Sequence, residues 1–310
     1  MGSVILKTVV PIILLIGAGY CSKWFRLFQS GEEKVFSRFI YYFALPALFI
    51  ANMSEIAFDR ETLKFITASL LPQAAALMIL VLIYAIFRFN RDILYLLIIC
   101  TTFGSHSFFG LPFIMFAYGT KEAERLAVLS SSCIAIVCVS VAITVLEAFR
   151  LKEPRLLRAV PLVLKRLSHN PLILSILLGL AIAASGVKLP LPLSRPLRML
   201  GGSAAVMAMF VLGMSFYGRA YGNFKLAAGL GLIRMIAMPF LGLLACRLFR
   251  LTPMETSVAT LMHATPMALA TIVLSEQYDF HREIIPTLML ISSLGAAIYL
   301  NGWLWILGGP

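Results

Sequence analysis

The feature that most limits what this chain can fold into is a series of long apolar runs joined by short polar connections. A helix needs about 20 apolar residues to cross a bilayer. Ten runs approach that length, at residues 4–21, 35–51, 63–87, 93–118, 126–149, 171–186, 197–217, 226–249, 254–277 and 284–307. Composition agrees: 60% of the residues are hydrophobic and 13% charged, where a soluble domain is about half apolar and a quarter charged. Helices close their own backbone hydrogen bonds in lipid, so the expectation is an all-α polytopic membrane protein with ten transmembrane helices, multi-pass in a plasma membrane or bacterial inner membrane. The net charge of +12 does not indicate nucleic acid, because the Lys and Arg lie mostly in short connections, where the positive-inside rule accounts for them.

Those charges also orient the chain. Odd-numbered connections carry fifteen Lys and Arg, and even-numbered ones carry nine. The bias places the odd connections in the cytoplasm and both termini on the other side. The longest and most basic connection, residues 150–169, reads as a cytoplasmic linker between two five-span units, 1–149 and 170–310. Five spans invert whatever follows them, so equivalent halves would form a 5+5 inverted repeat. Weak internal likeness supports this. PIILLIG begins at Pro11 and PLILSILLG at Pro171, while Pro112 and Pro266 interrupt spans four and nine.

Two stretches are out of keeping with hydrocarbon. TTFGSHSFFGLPF (101–113) places Ser105, His106 and Ser107 among helix-weakening Gly104, Gly110 and Pro112. MHATPMALAT (262–271) does the same around Pro266. Irregular backbone survives at membrane depth only when protein or a water-filled cavity satisfies it. Interrupted spans in corresponding positions point to a binding site where spans four and nine cross. There, half-helix ends would hold an anion. Packed helices with simple proline kinks are the plainer alternative.

The remaining intramembrane polar groups sort by chemistry. His106 and His263 are the histidines within spans and could relay a proton or meet a carboxylate. Alternatively, each is a neutral ring bonded to an exposed carbonyl. Arg234, inside span eight, could attract an anion, snorkel to the interface or pair structurally. No Asp or Glu stands at the middle of a span, which argues against cation exchange and for an anionic or neutral substrate. The five cysteines form no CxxC pair, so neither a disulfide framework nor a metal site is expected. No cofactor is implied. HExxH, GxSxG and Walker A sequences are absent, which argues against an enzyme.

FSRFIYYFALPALFIANM (36–53), GSHSFFGLPF (104–113), NPLILSILLGL (170–180), MFVLGMSF (209–216) and MHATPMALAT, in this order along nearly the whole chain, resemble the auxin efflux carrier family, which includes bacterial permeases for malate and malonate. The resemblance implies a fold like that of sodium–bile-acid symporters. Spans 1, 2, 6 and 7 would form a scaffold that often dimerises. Spans 3–5 and 8–10 would form a transport domain moving as an elevator, with substrate at the crossing. It also implies that Leu45 and Phe49 face substrate and that Gly110 and Pro112 belong to the family's GLP break. Ser105 stands where relatives commonly carry Asn.

The functional expectation is a secondary active or facilitative carrier of a small organic anion, such as malate, malonate or an auxin-like weak acid. Ser105, His106, Ser107, Gly110, Pro112, Leu45, Phe49, Thr265 and Pro266 would contact it. Its partners would be that anion, lipid, a proton or sodium, and a second copy of the chain. The alternatives are a sodium-coupled symporter, with oxygens such as those of Thr265, Thr271 and Asn301 around the ion, and a non-transporting sensor on the same fold.

Overall fold

The computed structural model describes residues 2–29, 31–56, 59–151, 165, 168–219 and 221–309, and these residues are helical throughout, without strands. The helices are α1 (Gly2–Trp24), α2 (Glu33–Phe39), α3 (Leu45–Met53), α4 (Arg60–Phe87), α5 (Arg91–Thr102), α6 (Leu111–Tyr118), α7 (Lys121–Leu151), α8 (Pro171–Ala184), α9 (Leu191–Phe216), α10 (Phe224–Leu248), α11 (Pro253–His263), α12 (Ala270–Tyr278) and α13 (Ile284–Ile306). Two π-helical turns, Ile40–Ala44 and His106–Gly110, join α2 to α3 and lead into α6. Most of the expected linker at 150–169 lies outside the described residues.

Helix starts follow local chemistry. The Asp59 carboxylate accepts from Thr62 N–H at the head of α4. Asn170 caps α8 ahead of Pro171, and Thr252 with Glu255 closes a capping box over α11. Each satisfies backbone donors that a helix start leaves open. Gly119, at a φ of 62°, ends α6, a conformation that glycine adopts without strain.

Five helical stretches are long and apolar enough to cross a membrane: Glu33–Met53, Arg60–Phe87, Lys121–Arg150, Leu191–Phe216 and Phe224–Leu248. The bent pair Ile284–Ala296 and Ile298–Ile306 makes a sixth if taken as one span. The other four apolar runs appear as α1, the short α8, and the interrupted pairs α5–α6 and α11–α12.

The helices pack in two groups. α1 lies along α9, and α3 sits between α8 and α9. Glycine makes these contacts close. A Cβ at Gly19 would meet the Phe210 carbonyl oxygen at 1.9 Å, and one at Gly213 would meet that of Ile16 at 1.9 Å. Small residues of this kind let membrane helices approach backbone to backbone. The second group joins α4, α5, α7, α10, α11 and α13, with α10 touching α4, α5, α11 and α13. The π turn at 106–110 and α6 bridge the groups through α9 and α1.

Alternate connections gather at opposite ends of the bundle. Residues at three of them, including Glu55, Asp59, Lys121 and Thr252, together with Arg198 near the start of α9, line one cavity of about 730 Å³. At the other end Asn90, Arg91, Arg150 and Tyr278 line one of about 600 Å³. There Tyr278 donates at 2.5 Å to Glu147, a carboxylate buried beneath that face.

The structure corrects one reading of the prolines. Pro112 does not interrupt span four, because it lies in the first turn of α6, in helix continuous from His106. The break falls upstream, at Phe103–Ser105. The widened π turn explains how the proline fits. Leu111 N–H reaches back to His106 O, and this wider turn makes room for the ring of Pro112, which has no N–H to donate. The same construction recurs earlier, where Ile40–Ala44 is followed by Leu45-Pro46.

Candidate functional site: a crossing of two interrupted helices

The two interruptions pair with each other. Ser105 N–H donates to Pro266 O at 2.8 Å, and Ala268 N–H donates to Phe103 O at 3.1 Å. These bonds make an antiparallel bridge between Gly104 and Met267. Ser292 on α13 accepts from Met267 N–H at 3.2 Å. Backbone groups that would be stranded in hydrocarbon are thereby satisfied within the protein, which is the condition for non-helical chain at this depth.

Arg234 fastens this crossing. Its side chain is 1% exposed, so it neither snorkels nor faces lipid. Nε donates to Thr265 O at 2.8 Å, just past the end of α11. Nη1 donates to the carbonyls of Cys100 and Thr101 in the last turn of α5. The positive charge therefore lies at the C-terminal ends of both interrupted helices, where the helix dipoles are negative. Nη2 has no partner, so one donor of a buried cation is left for something else. The approach leaves no room for a side chain at position 104, since a Cβ there would lie 1.9 Å from Nη2 and 2.7 Å from Thr265 Oγ1.

The two intramembrane histidines meet here. Their rings stand edge to face with centroids 6.5 Å apart. His263 Nε2 lies 3.0 Å from the Ser69 carbonyl on α4 and must carry the hydrogen to bond it. His106 Nε2 and His263 Nδ1 are buried without partners. Nearby, Ser107 and Ser131 share a hydroxyl bond of 2.7 Å, tying the π turn to α7. Thr265 Oγ1 donates to Met262 O at 3.0 Å. A Cβ at Gly110 would meet Thr265 Cγ2 at 2.6 Å, so the end of the π turn and the second break are in contact.

Of the residues expected from the sequence, the fold thus gathers Ser105, His106, Ser107, Gly110, His263, Thr265, Pro266 and Arg234. Pro112 follows within α6. Leu45 and Phe49 are fully buried on α3, whose packing partners include α8, α9 and α7. Sequence reasoning named Gly104 as helix-weakening without seeing its close approach to Arg234, and it did not place the Ser69 carbonyl, Ser131 or Ser292 in the site. A glycine directly before a polar pair was a signal for the first, whereas the others depend on tertiary approach. Among the described residues Glu147 is the one buried carboxylate, and no group of His, Cys, Asp and Glu could hold a metal ion.

Comparison with known proteins gives the family. Residues 4–304 match the family described as membrane transport protein. The chain is 22% identical to an uncharacterised transporter of Methanocaldococcus jannaschii, over 97% of this chain and 98% of that one. It is 26% identical to a protein of Rhizobium meliloti named as a proposed malonate transporter, over 96% and 94%. The chain belongs to the membrane transport protein family, that of the auxin efflux carriers, and is an integral, multi-pass membrane transporter.

Proposed function

We propose that the protein carries a small organic anion, with one carboxylate held where the two interruptions cross. One observation carries this reading. A buried arginine satisfies carbonyls from both interruptions and still has a free donor, beside two histidines with unpaired nitrogens. Burying a cation without a counter-charge is costly, and an anionic substrate would supply that charge. Ser105, Ser107, Gly110, Thr265 and Pro266 shape the site around it, with Pro112 holding the start of α6. Leu45 and Phe49 would cover it from the facing group when the two groups move. A positive site of this kind disfavours any further cation until the anion is bound, after which a proton on His106 or His263 is the coupling candidate. The relative named for malonate makes a short dicarboxylate the first acid to try.

The two packed groups support an elevator-type movement of one against the other. α1–α3, α8 and α9 would be the fixed scaffold and would carry the dimer contact. α4–α7 and α10–α13 would move as one body, locked together at Arg234. Each body would take matching spans from both halves of an inverted repeat of five spans each, 1–149 and 170–310, joined by the cytoplasmic linker 150–169, with both termini outside. Uptake of labelled malonate, malate and aromatic acids into proteoliposomes tests the reading. Saturable uptake of at least one acid is expected. No uptake under any imposed gradient of acid, proton, sodium or potential would overturn it.

A further inference from the structure

A second group of polar atoms lies beside the crossing and takes no part in it. Ser69 and Gln73 on α4 and Ser130 on α7 are wholly buried. The hydroxyls of Ser69 and Ser130 and both amide atoms of Gln73 have no hydrogen-bond partner. A buried carboxamide with neither end satisfied is rare and costly, so its environment has to offer it a polar partner. Phe65, Ser69 and Gln73 recur every four residues and share one face of α4. At the level of Ser69 this face reaches the crossing, because the Ser69 carbonyl is the partner of His263. On α7, Ser130 precedes Ser131, which binds Ser107.

The same two helices lead out to the larger end cavity. Phe65 and Leu129 line that cavity of about 730 Å³, yet each is almost completely buried. One turn below Phe65 is Ser69, and directly after Leu129 is Ser130. Phe65 therefore stands between the open cavity and Ser69 on one face of α4, and α7, which carries Leu129 and Ser130, packs against α4.

We propose that Ser69, Gln73 and Ser130 form a polar subsite, alongside the crossing, for a carboxylate or hydroxyl group of a small hydrophilic solute, and that Phe65 and Leu129 close it from the 730 Å³ cavity. Two hydroxyls and an amide N–H supply three donors to an oxygen-rich group, and the amide oxygen accepts from a hydroxyl or water. That the solute is an acid rests on the function proposed above. The access route does not.

Two experiments test it. The first uses Ser69→Cys in a chain with Cys21→Ser and Cys133→Ala, reconstituted and exposed to a membrane-impermeant thiosulfonate from either face. Labelling is expected from the face that bears the 730 Å³ cavity. It should become at least tenfold faster when Phe65→Ala is added, and malonate should slow it. Labelling unchanged by Phe65→Ala, or confined to the opposite face, overturns the route, and Ser130→Cys gives the same reading if Ser69→Cys does not fold. The second is Gln73→Leu. Thermal stability should hold or rise as an unpaired amide is removed, while the malonate concentration for half-maximal uptake rises about tenfold. A loss of stability with unchanged malonate dependence overturns the subsite. A wild-type protein that moves no acid contradicts the anion reading of the crossing, and the labelling then decides the access route by itself.

Discussion

The Ser105 amide donates to the Pro266 carbonyl at 2.8 Å, and this contact joins the two interrupted helices of the protein. Around it the chain forms a short β-like bridge inside a helical bundle. Phe103 and Ala268 close the other side of that bridge. Arg234 then secures the helix ends on both sides. The consequences can be measured residue by residue.

Arg234→Met would leave the carbonyls of Cys100, Thr101 and Thr265 without their donor. Each unsatisfied buried group costs about 1–3 kcal/mol. Thermal unfolding in detergent should show a large drop in midpoint and transport should be lost. Arg234→Lys keeps the charge but not the planar fork that spans both helices, so it should recover only part of the stability. A wild-type midpoint for Arg234→Met would show that the staple is dispensable.

Gly104→Ala should abolish transport, since its Cβ would lie 1.9 Å from Arg234 Nη2. Gly202→Ala is the matched control, with nothing within 4 Å of its Cβ, and should behave as wild type in both expression and uptake. Equal activity of the two variants would argue against a tight crossing.

At the scaffold, Gly213→Leu should force α1 and α9 apart, because even a Cβ there would lie 1.9 Å from the Ile16 carbonyl oxygen. Overpacking of this kind typically costs about 1–3 kcal/mol. The expected result is a lowered unfolding midpoint, read by thermal melts, with a similar effect for Gly19→Leu. Unchanged melts would mean that the helices are not in backbone contact.

Ser107→Ala and Ser131→Ala each remove one partner of the same hydroxyl pair. Each should cost about 1 kcal/mol, and the double variant should cost little more than either alone. A double-mutant cycle on chemical stability gives the coupling. Strictly additive losses would show that the two hydroxyls act independently.

Much of this arrangement can be read from the chain itself. Apolar runs show where most helices lie, because the bilayer requires length and apolarity together. The crossing residues are visible as polar groups out of keeping with their surroundings, which is why Ser105, His106 and Pro266 stand out. Proline position is the less certain guide. Pro11, Pro72, Pro196 and Pro239 all lie inside continuous helices, and Pro112 follows a π turn rather than a break. Neighbouring helices can satisfy the carbonyl that a proline frees, so the residue alone does not mark an end. Arg234 is ambiguous for a similar reason. A lone arginine in a span has several outcomes, and only the approach of α5 and α11 decides among them.

If an organic anion binds where the breaks cross, uptake of labelled malonate into proteoliposomes reports it. Wild type, Gly202→Ala, Gly104→Ala and His106→Gln would be compared side by side. Saturable uptake is expected in the first two and none in Gly104→Ala. In His106→Gln the half-saturating concentration should rise about 10- to 100-fold, as loss of one charge-assisted contact implies. Uptake by Gly104→Ala and His106→Gln indistinguishable from wild type would show that the anion does not bind at the crossing.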